Sequence, residues 1–224
     1  MYKIKYSLLI VLLTSLALVT KAQDDELMIR IRTGHNATSG GFAAFSLETF
    51  QKFGNSFPLS GGLQYTTIER TALEARPAYN INYDWGNITA EVLLTYRNQN
   101  SVNSFAAGAG AEISNRWIAV KLGYYYHLYG HSGDSIIEPF NIYYELRANL
   151  LPMMESWDLQ FVITNNERFE LERHYQPTFI AQCGYDLKEF LGLSMGIGCK
   201  PAGMFNLSAD YYQTFINLGI CYRW

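Results

Sequence analysis

The last thirteen residues, Tyr212-Gln-Thr-Phe-Ile-Asn-Leu-Gly-Ile-Cys-Tyr-Arg-Trp224, alternate between two kinds of side chain. Counting every second position from Tyr212 gives an almost wholly apolar set, broken only by Thr214. The positions between them are mostly small or polar. Because successive side chains of a β-strand point to opposite faces, this stretch predicts a strand with one apolar and one mostly polar face.

The same alternation recurs along the chain. Clear segments lie near residues 88–97, 104–113, 118–127, 140–150, 157–164, 178–186 and 191–198, and weaker ones near 26–33, 41–53, 60–70 and 77–84. With the terminal stretch these predict about twelve strands, each near the roughly 9–11 residues that cross a bilayer at a tilt. Ten strands remain an alternative if the first two segments do not pair.

Composition excludes two broad classes of protein. The formal net charge is −3, which argues against a basic nucleic-acid-binding surface. The mean hydropathy is −0.06, which excludes a polytopic helical membrane protein. Charged residues make up only 17% of the chain, below the roughly 25% of soluble domains. The polar character comes instead from Tyr, Asn, Ser and Gln.

The N-terminus has the layout of a secretory signal peptide. Lys3 and Lys5 precede the apolar run 7–19, and Ala22 supplies a small residue at the expected cleavage point. A membrane anchor is the alternative, but the run is shorter than the roughly 20 residues of a spanning helix. We therefore expect residues 1–22 to be a signal peptide and residues 23–224 to form one exported domain.

An exported chain without a helical anchor is either a soluble β-protein or a transmembrane barrel. A soluble sandwich or lipocalin-like barrel would carry outward polar residues rich in Lys and Glu, whereas the polar face here holds Gly, Ser, Asn, Gln and spaced opposite charges. Aromatic residues lie near strand ends, as with Tyr212 and Tyr222, which is typical of transmembrane girdles. The prediction is an all-β, antiparallel up-and-down transmembrane β-barrel.

Connection lengths provide a second test, since every second connection of such a barrel should be a short turn. Short connections are predicted at 84–87, 114–115, 152–156 and 186–189, and longer ones at 32–40, 69–76, 130–135, 165–174 and 201–209. Two connections depart from this pattern. Residues 53–60 are too long for a short turn, and residues 98–101 are brief for an outer loop.

The pattern Asn217-x-Gly219-x-x-Tyr222-x-Trp224 ends the chain. It resembles the C-terminal recognition signal of Gram-negative outer-membrane β-barrel proteins. The resemblance implies an outer-membrane location, with the barrel-assembly machinery as a partner that reads these residues. It also implies outer-membrane lipid and lipopolysaccharide as the surroundings, and we expect a monomer. No functional subfamily is indicated.

Charges of both signs fall on the predicted inward face. The candidate lumen charges are Arg30, Arg32, Glu91, Arg97, Glu112, Lys121, Glu145, Arg147, Asp158 and Arg223, together with Lys52, Arg70, Lys200, Glu48, Asp84 and Asp186. Large inward residues, Phe50, Tyr125, Tyr143 and Phe215, narrow the same interior. A twelve-stranded barrel is wider than the eight-stranded case that side chains just fill. These features favour a narrow passive pore for small solutes, with a plugged structural or interaction barrel as the alternative.

Signals for catalysis and cofactors are weak. A lipid-modifying enzyme would need an activated nucleophile, and His131-Ser132 with Asp134 and Glu138 is the best grouping for one. The Gly108-Ala-Gly110 and Gly196-Ile-Gly198 pairs lack the strand–helix context of nucleotide binding. We therefore expect no catalytic residues, no metal site and no cofactor.

The three cysteines are expected to remain free thiols. Cys183 and Cys199 fall on the lipid face and Cys221 on the inner face, so Cys221 cannot easily bridge to either. A hairpin about Lys188 also places Cys183 and Cys199 out of register, too far apart for a disulfide.

Overall fold

A computed structural model describes residues 25–37, 40–54, 56–67, 70–99, 102–131, 134–154, 156–166, 177–201 and 211–224. Twelve strands account for most of these residues. They are β1 Glu26–Asn36, β2 Gly40–Phe53, β3 Phe57–Thr66, β4 Arg70–Tyr83, β5 Gly86–Gln99, β6 Val102–Ser114, β7 Ile118–His131, β8 Asp134–Asn149, β9 Trp157–Thr164, β10 Thr178–Lys188, β11 Leu191–Pro201 and β12 Tyr211–Arg223. The described part of the chain contains no helix long and apolar enough to cross a membrane.

The strands form one closed barrel in which every neighbouring pair is antiparallel. β1 closes the ring by pairing with β12 along its whole length, from Glu26 opposite Arg223 to Asn36 opposite Gln213. The prediction of an antiparallel twelve-stranded barrel is confirmed, and the ten-stranded alternative is excluded because β1 and β2 both pair. Closure leaves no free strand at the edge of the sheet.

Two ends of the barrel are distinguished below. At the turn end lie Asp25, Trp224 and the ends of the strands joined as β2–β3, β4–β5, β6–β7, β8–β9 and β10–β11; the opposite ends of the strands form the loop end. The connection between β2 and β3 is short, so the predicted departure at 53–60 was wrong. It arose because Phe57–Leu59, which belongs to β3, was assigned to the connection.

The strand β4 begins earlier than the sequence predicted. Residues 69–76 were expected to form a long connection, but β4 starts at Arg70. Its inward positions there include Glu74 and Arg76, while Leu73 is the single large apolar residue facing outward. The alternation was therefore hidden, because charges line the inner face and small residues the outer face.

Apolar side chains cover the outside of the barrel. Ile31, Leu122, Ile197 and Leu218 are all more than half exposed, the reverse of a soluble core. Aromatic pairs gather at the turn end, where Trp157 and Tyr185 lie 4.6 Å apart between ring centroids. This distribution is that of a surface surrounded by hydrocarbon with an interfacial aromatic belt.

All three cysteines are free thiols. Cys183 pairs in register with Met195, and Cys199 with Phe179, so the two are separated along the β10–β11 hairpin as expected. Cys221 is buried on the inner face, whereas Cys199 is exposed on the outer face.

Candidate functional site

Two charged residues of β4 point into the interior of the barrel. They lie in the segment 69–76, which the sequence predicted to be a loop. Arg76 Nε lies 2.8 Å from Glu74 Oε1, and both side chains are almost fully buried. The β4–β5 pairing is interrupted beside them, between Ala75 and Ala78. Pro77 lies in this gap and has no N–H to donate, which explains the break.

Glu91 on β5 is the centre of the buried charges. Lys121 Nζ lies 2.9 Å from Glu91 Oε2, and Tyr143 donates a hydrogen bond of 3.1 Å to Oε1. Arg76 Nη1 is 3.7 Å from the same oxygen. Three donors from three other strands therefore converge on one carboxylate, which holds β4, β5, β7 and β8 together from the inside.

The network continues towards the turn end. Lys121 Nζ is 3.5 Å from Glu112 Oε2, and Arg147 Nη2 is 3.4 Å from that same oxygen. Arg147 also lies 2.7 Å from Glu145. The result is a run of alternating charges on β4–β8, called the charged wall below, made of Glu74, Arg76, Glu91, Glu112, Lys121, Glu145 and Arg147.

Tyr143 is held against the charged wall by two glycines. A Cβ on Gly123 or on Gly110 would overlap the phenol ring or its hydroxyl, so only glycine permits this position. Tyr143 is fully buried and packs beside Tyr125, Leu93 and Ala106. This side of the interior is consequently filled by side chains.

The opposite side of the interior carries amides. Gln160, Gln182, Gly196 and Asn217 lie directly opposite one another in register on β9, β10, β11 and β12, and they are called the amide row below. Gln182 Nε2 donates to Gln160 Oε1 at 2.9 Å. Gln160 Nε2 in turn donates to both oxygens of Asp158, at 3.0 and 2.8 Å.

Two arginines of β1 border the amide row. Arg32 Nε donates to Asn217 Oδ1 at 2.8 Å, and its guanidinium lies 4.1 Å above the ring of Phe215. Arg30 Nη1 lies 3.2 Å from Glu48 on β2. Both arginines are therefore held in place by neighbouring strands.

A cavity of about 410 Å³ separates the two sides. The charged wall contributes Arg76, Glu91, Lys121, Glu145 and Arg147 to its lining, and the amide row contributes Gln160, Gln182 and Asn217. A second cavity of about 340 Å³ lies towards the turn end, and Arg30, Gln182 and Asn217 border both. The described interior thus contains two cavities that share three polar lining residues.

One hydrogen bond crosses the interior near the loop end. Arg76 Nη2 donates to Asn166 Oδ1 at 3.3 Å, and Asn166 follows the last residues of β9. Arg70, Arg97 and Lys200 lie nearer still to the loop-end termini of their strands, and all three are buried. Cations therefore dominate the described inner surface near this end.

The structure brings together some of the candidate lumen charges and places others elsewhere. Glu91, Glu112, Lys121, Glu145 and Arg147 join one network. Arg97 lies near the loop end, and Asp158 supports the amide row. Arg223 lies at the turn end, 2.8 Å from Glu26 and 2.7 Å from Asp186. Asp84 lies in the exposed β4–β5 turn, so its predicted inward position was wrong.

The lumen positions of Glu74 and Arg76 and the grouping of the amides were not predicted from the sequence. A consistent period-two reading extended from Tyr79 back to Arg70 would have placed the two charges on the inner face. The grouping of His131, Ser132, Asp134 and Glu138 lies outside the residues whose side chains are described. Among the described residues, no group of three or more His, Cys, Asp or Glu side chains could hold a metal ion.

The four residues of the C-terminal pattern occupy both faces of β12. Tyr222 and Trp224 stack on the outer surface at the turn end, with ring centroids 5.8 Å apart. Gly219 pairs with Arg30 and Ser194, where a Cβ would overlap the serine hydroxyl. Asn217 belongs to the amide row inside the barrel.

Comparisons with known proteins identify the architecture. No family model matches the chain, and no curated relative was found. Among solved structures, the chain resembles the KdgM porin in complex with disordered oligogalacturonate, with a TM-score of 0.59 and 13% identity, over 89% of this chain and 99% of that chain.

Two further structures share the fold but belong to proteins of other kinds. The translocator domain of the autotransporter NalP from Neisseria meningitidis gives a TM-score of 0.60 at 13% identity, covering 94% of this chain and 92% of that chain. Outer membrane phospholipase A from Escherichia coli gives 0.54 at 8% identity, covering 92% of each chain. The chain thus has the twelve-stranded architecture of a porin-like barrel, an architecture that proteins of different function share.

Proposed function

We propose that this chain is an integral outer-membrane barrel that acts as a narrow passive pore for small polar solutes. The observation that carries the proposal is a pair of interior cavities that share polar lining residues, one of about 410 Å³ between the charged wall and the amide row and one of about 340 Å³ towards the turn end. The apolar outer surface and the aromatic residues at the turn end support a membrane location. The predicted signal peptide and the C-terminal pattern, which resembles an assembly signal, support export to the outer membrane.

The charges favour a pore with weak selectivity between ions. The KdgM porin was solved in complex with oligogalacturonate, an anionic sugar chain. In this chain, Arg30, Arg76, Lys121 and Arg147 each have a carboxylate oxygen within 3.2 Å. Neighbouring charges of opposite sign cancel much of each other's field, so an anionic sugar is not the solute we propose.

Conductance of the purified full chain in planar lipid bilayers tests the pore. We expect small, stepwise ion currents. Bilayers that stay silent at high protein density would contradict the pore and favour the second candidate, a plugged structural or interaction barrel. That candidate is supported by the packed Tyr125 and Tyr143 side and by the Arg76–Asn166 hydrogen bond.

The interaction candidate needs outer loops that contact a partner. The candidate partner-binding loops are the long predicted connections 165–174 and 201–209. Both lie almost wholly outside the described residues. A lipid-modifying enzyme is a third candidate, supported only by the fold shared with the phospholipase. Mass analysis of membrane lipids after expression tests it, and unchanged lipid species would remove it.

Arg147 is the residue whose removal best reports on the pore interior. Its side chain is 34% exposed, the highest value among the cations of the charged wall. We expect Arg147→Ala to shift the reversal potential in a KCl gradient towards cation selectivity. Arg116→Ala is the matched control, because Arg116 lies at the turn end beside Trp117 and outside the lumen. Equal reversal potentials in wild type and Arg147→Ala would remove the lumen assignment.

A further inference from the structure

The hydrogen bonds of the amide row fix the orientation of every amide in it. Gln160 must turn its nitrogen to Asp158, because a carboxylate only accepts. Its oxygen therefore receives the Gln182 nitrogen, which directs the Gln182 oxygen away from Gln160. At the other end, the Arg32 guanidinium only donates, so Asn217 turns its oxygen to Arg32 and its Nδ2 away.

Gly196 lies between these two oriented amides. It pairs with Gln182 on one side and with Asn217 on the other, and it supplies no side chain of its own. With strands about 4.8 Å apart, the Gln182 and Asn217 backbones are about 10 Å apart across this gap. A Cβ at Gly196 would lie 3.4 Å from Gln182 Cβ, 3.5 Å from the Ala181 carbonyl oxygen and 3.8 Å from Asn217 Nδ2, so one further heavy atom fits there at van der Waals contact.

The two residues that flank Gly196 therefore each keep one amide group that is not used within the amide row, an acceptor on Gln182 and a donor on Asn217. Gln182 Oε1 accepts no hydrogen bond from the described residues, and Asn217 Nδ2 donates none to them. A hydroxyl group donates and accepts at once, which matches this pair. A carboxylate only accepts hydrogen bonds, so it could not donate to Gln182 Oε1. An ammonium only donates, so it could not accept from Asn217 Nδ2.

We infer that the gap at Gly196 is a binding subsite for a hydroxyl of a neutral sugar or related polyol. Gln182, Gly196 and Asn217 all line the smaller cavity, and its volume of about 340 Å³ is within the range of small-molecule sites. The paired charges around it provide no strong net attraction for an ion of either sign. This inference rests on the proposed pore function and names its class of solute.

The test measures binding and conduction separately on the full-length protein. Binding in detergent is followed by saturation-transfer NMR with glucose, with galacturonate as the carboxylate analogue and glucosamine as the ammonium analogue. We expect glucose to bind more tightly than either charged sugar. Gly196→Ser puts a hydroxyl into the gap, and we expect it to weaken glucose binding about three- to tenfold, the effect of one lost hydrogen bond.

Gly184→Ser is the matched control. Gly184 is an inward residue of the neighbouring β10 with similar room for a Cβ, and it lines the same smaller cavity as Gly196. It lies opposite Asp158 on β9 and not between Gln182 and Asn217. The glucose affinity of the Gly184→Ser variant should equal that of the wild type. Glucose binding that is absent, unchanged in Gly196→Ser, or weaker than that of galacturonate would overturn the inference.

Conduction is measured in bilayers with the same samples. Ion current without glucose binding would leave the pore standing and remove the sugar subsite. Glucose binding that Gly196→Ser weakens, in a barrel without ion current, would keep the subsite and remove the pore.

Discussion

Arg76 and Asn166 are joined across the interior of the barrel by a hydrogen bond of 3.3 Å from Nη2 to Oδ1. Arg76 belongs to β4 and Asn166 follows β9, five strands away in a ring of twelve. Both are among the most buried polar residues of the described chain, at 7% and 2% exposure. Both residues line the larger cavity, so in the proposed pore we expect this contact to limit flow.

Arg76→Ala should increase single-channel conductance, because it removes the longer of the two side chains that meet in the interior. Asn166→Ala should act in the same direction by shortening the other partner, with little change in ion selectivity, since it carries no charge. Single-channel recording in planar bilayers measures both. Conductance that is unchanged or reduced in both variants would show that the crossing does not limit flow.

Glu91→Gln should reduce the stability of the barrel more than Glu112→Gln. It removes the negative charge that Lys121 and Arg76 share, and it weakens the hydrogen bond from Tyr143. Breaking a buried ion pair by removing one partner costs roughly 3–5 kcal/mol. The temperature at which the folded band is lost on unboiled gels measures the effect.

Glu112→Gln is the control for the Glu91 variant. Glu112 also contacts two cations, but at 3.5 and 3.4 Å, and its side chain is more exposed than that of Glu91. A smaller loss of stability is expected. An equal loss in the two variants would contradict the central position assigned to Glu91.

Gly123→Ala should displace the Tyr143 side chain, because a Cβ at residue 123 would overlap the phenol ring of Tyr143. Filling a closely packed interior costs about 1–3 kcal/mol. Tyr143→Val removes the ring, so adding Gly123→Ala to it should cost much less than adding it to the wild type. Thermal unfolding of the four proteins gives the coupling between the two sites. If the losses of stability in the two single variants add up to the loss in the double variant, the Tyr143 ring does not contact Gly123.

The strands and their inward faces could be predicted because the outer surface is in contact with an apolar medium. That requirement places Ile, Leu and aromatic residues at every second position of β5, β7 and β12, and the alternation can be read directly. In β4 the outward positions Thr71 and Ala75 are weakly apolar, so the pattern was lost where Glu74 and Arg76 enter the barrel.

The candidate site was less predictable, since its parts come from different strands. The alternation placed Gln160, Gln182 and Asn217 on the polar face, but their common level depends on the register of four strands. Register follows from the geometry of closure and from connection lengths, which the sequence specifies poorly. The convergence of Lys121, Tyr143 and Arg76 on Glu91 depends on the same registers.

Trp224→Ala tests whether the C-terminal pattern is read during assembly. Trp224 is 41% exposed on the outer surface and stacks on Tyr222, so its loss removes little packing inside the barrel. We expect less folded barrel in the outer-membrane fraction of expressing cells and unchanged refolding of the purified chain in detergent. Trp117→Ala is the matched control, because Trp117 is a similarly exposed tryptophan, at 44%, in the β6–β7 turn. Equal losses in the two variants would mean that an interfacial tryptophan, and not the terminal pattern, determines the yield.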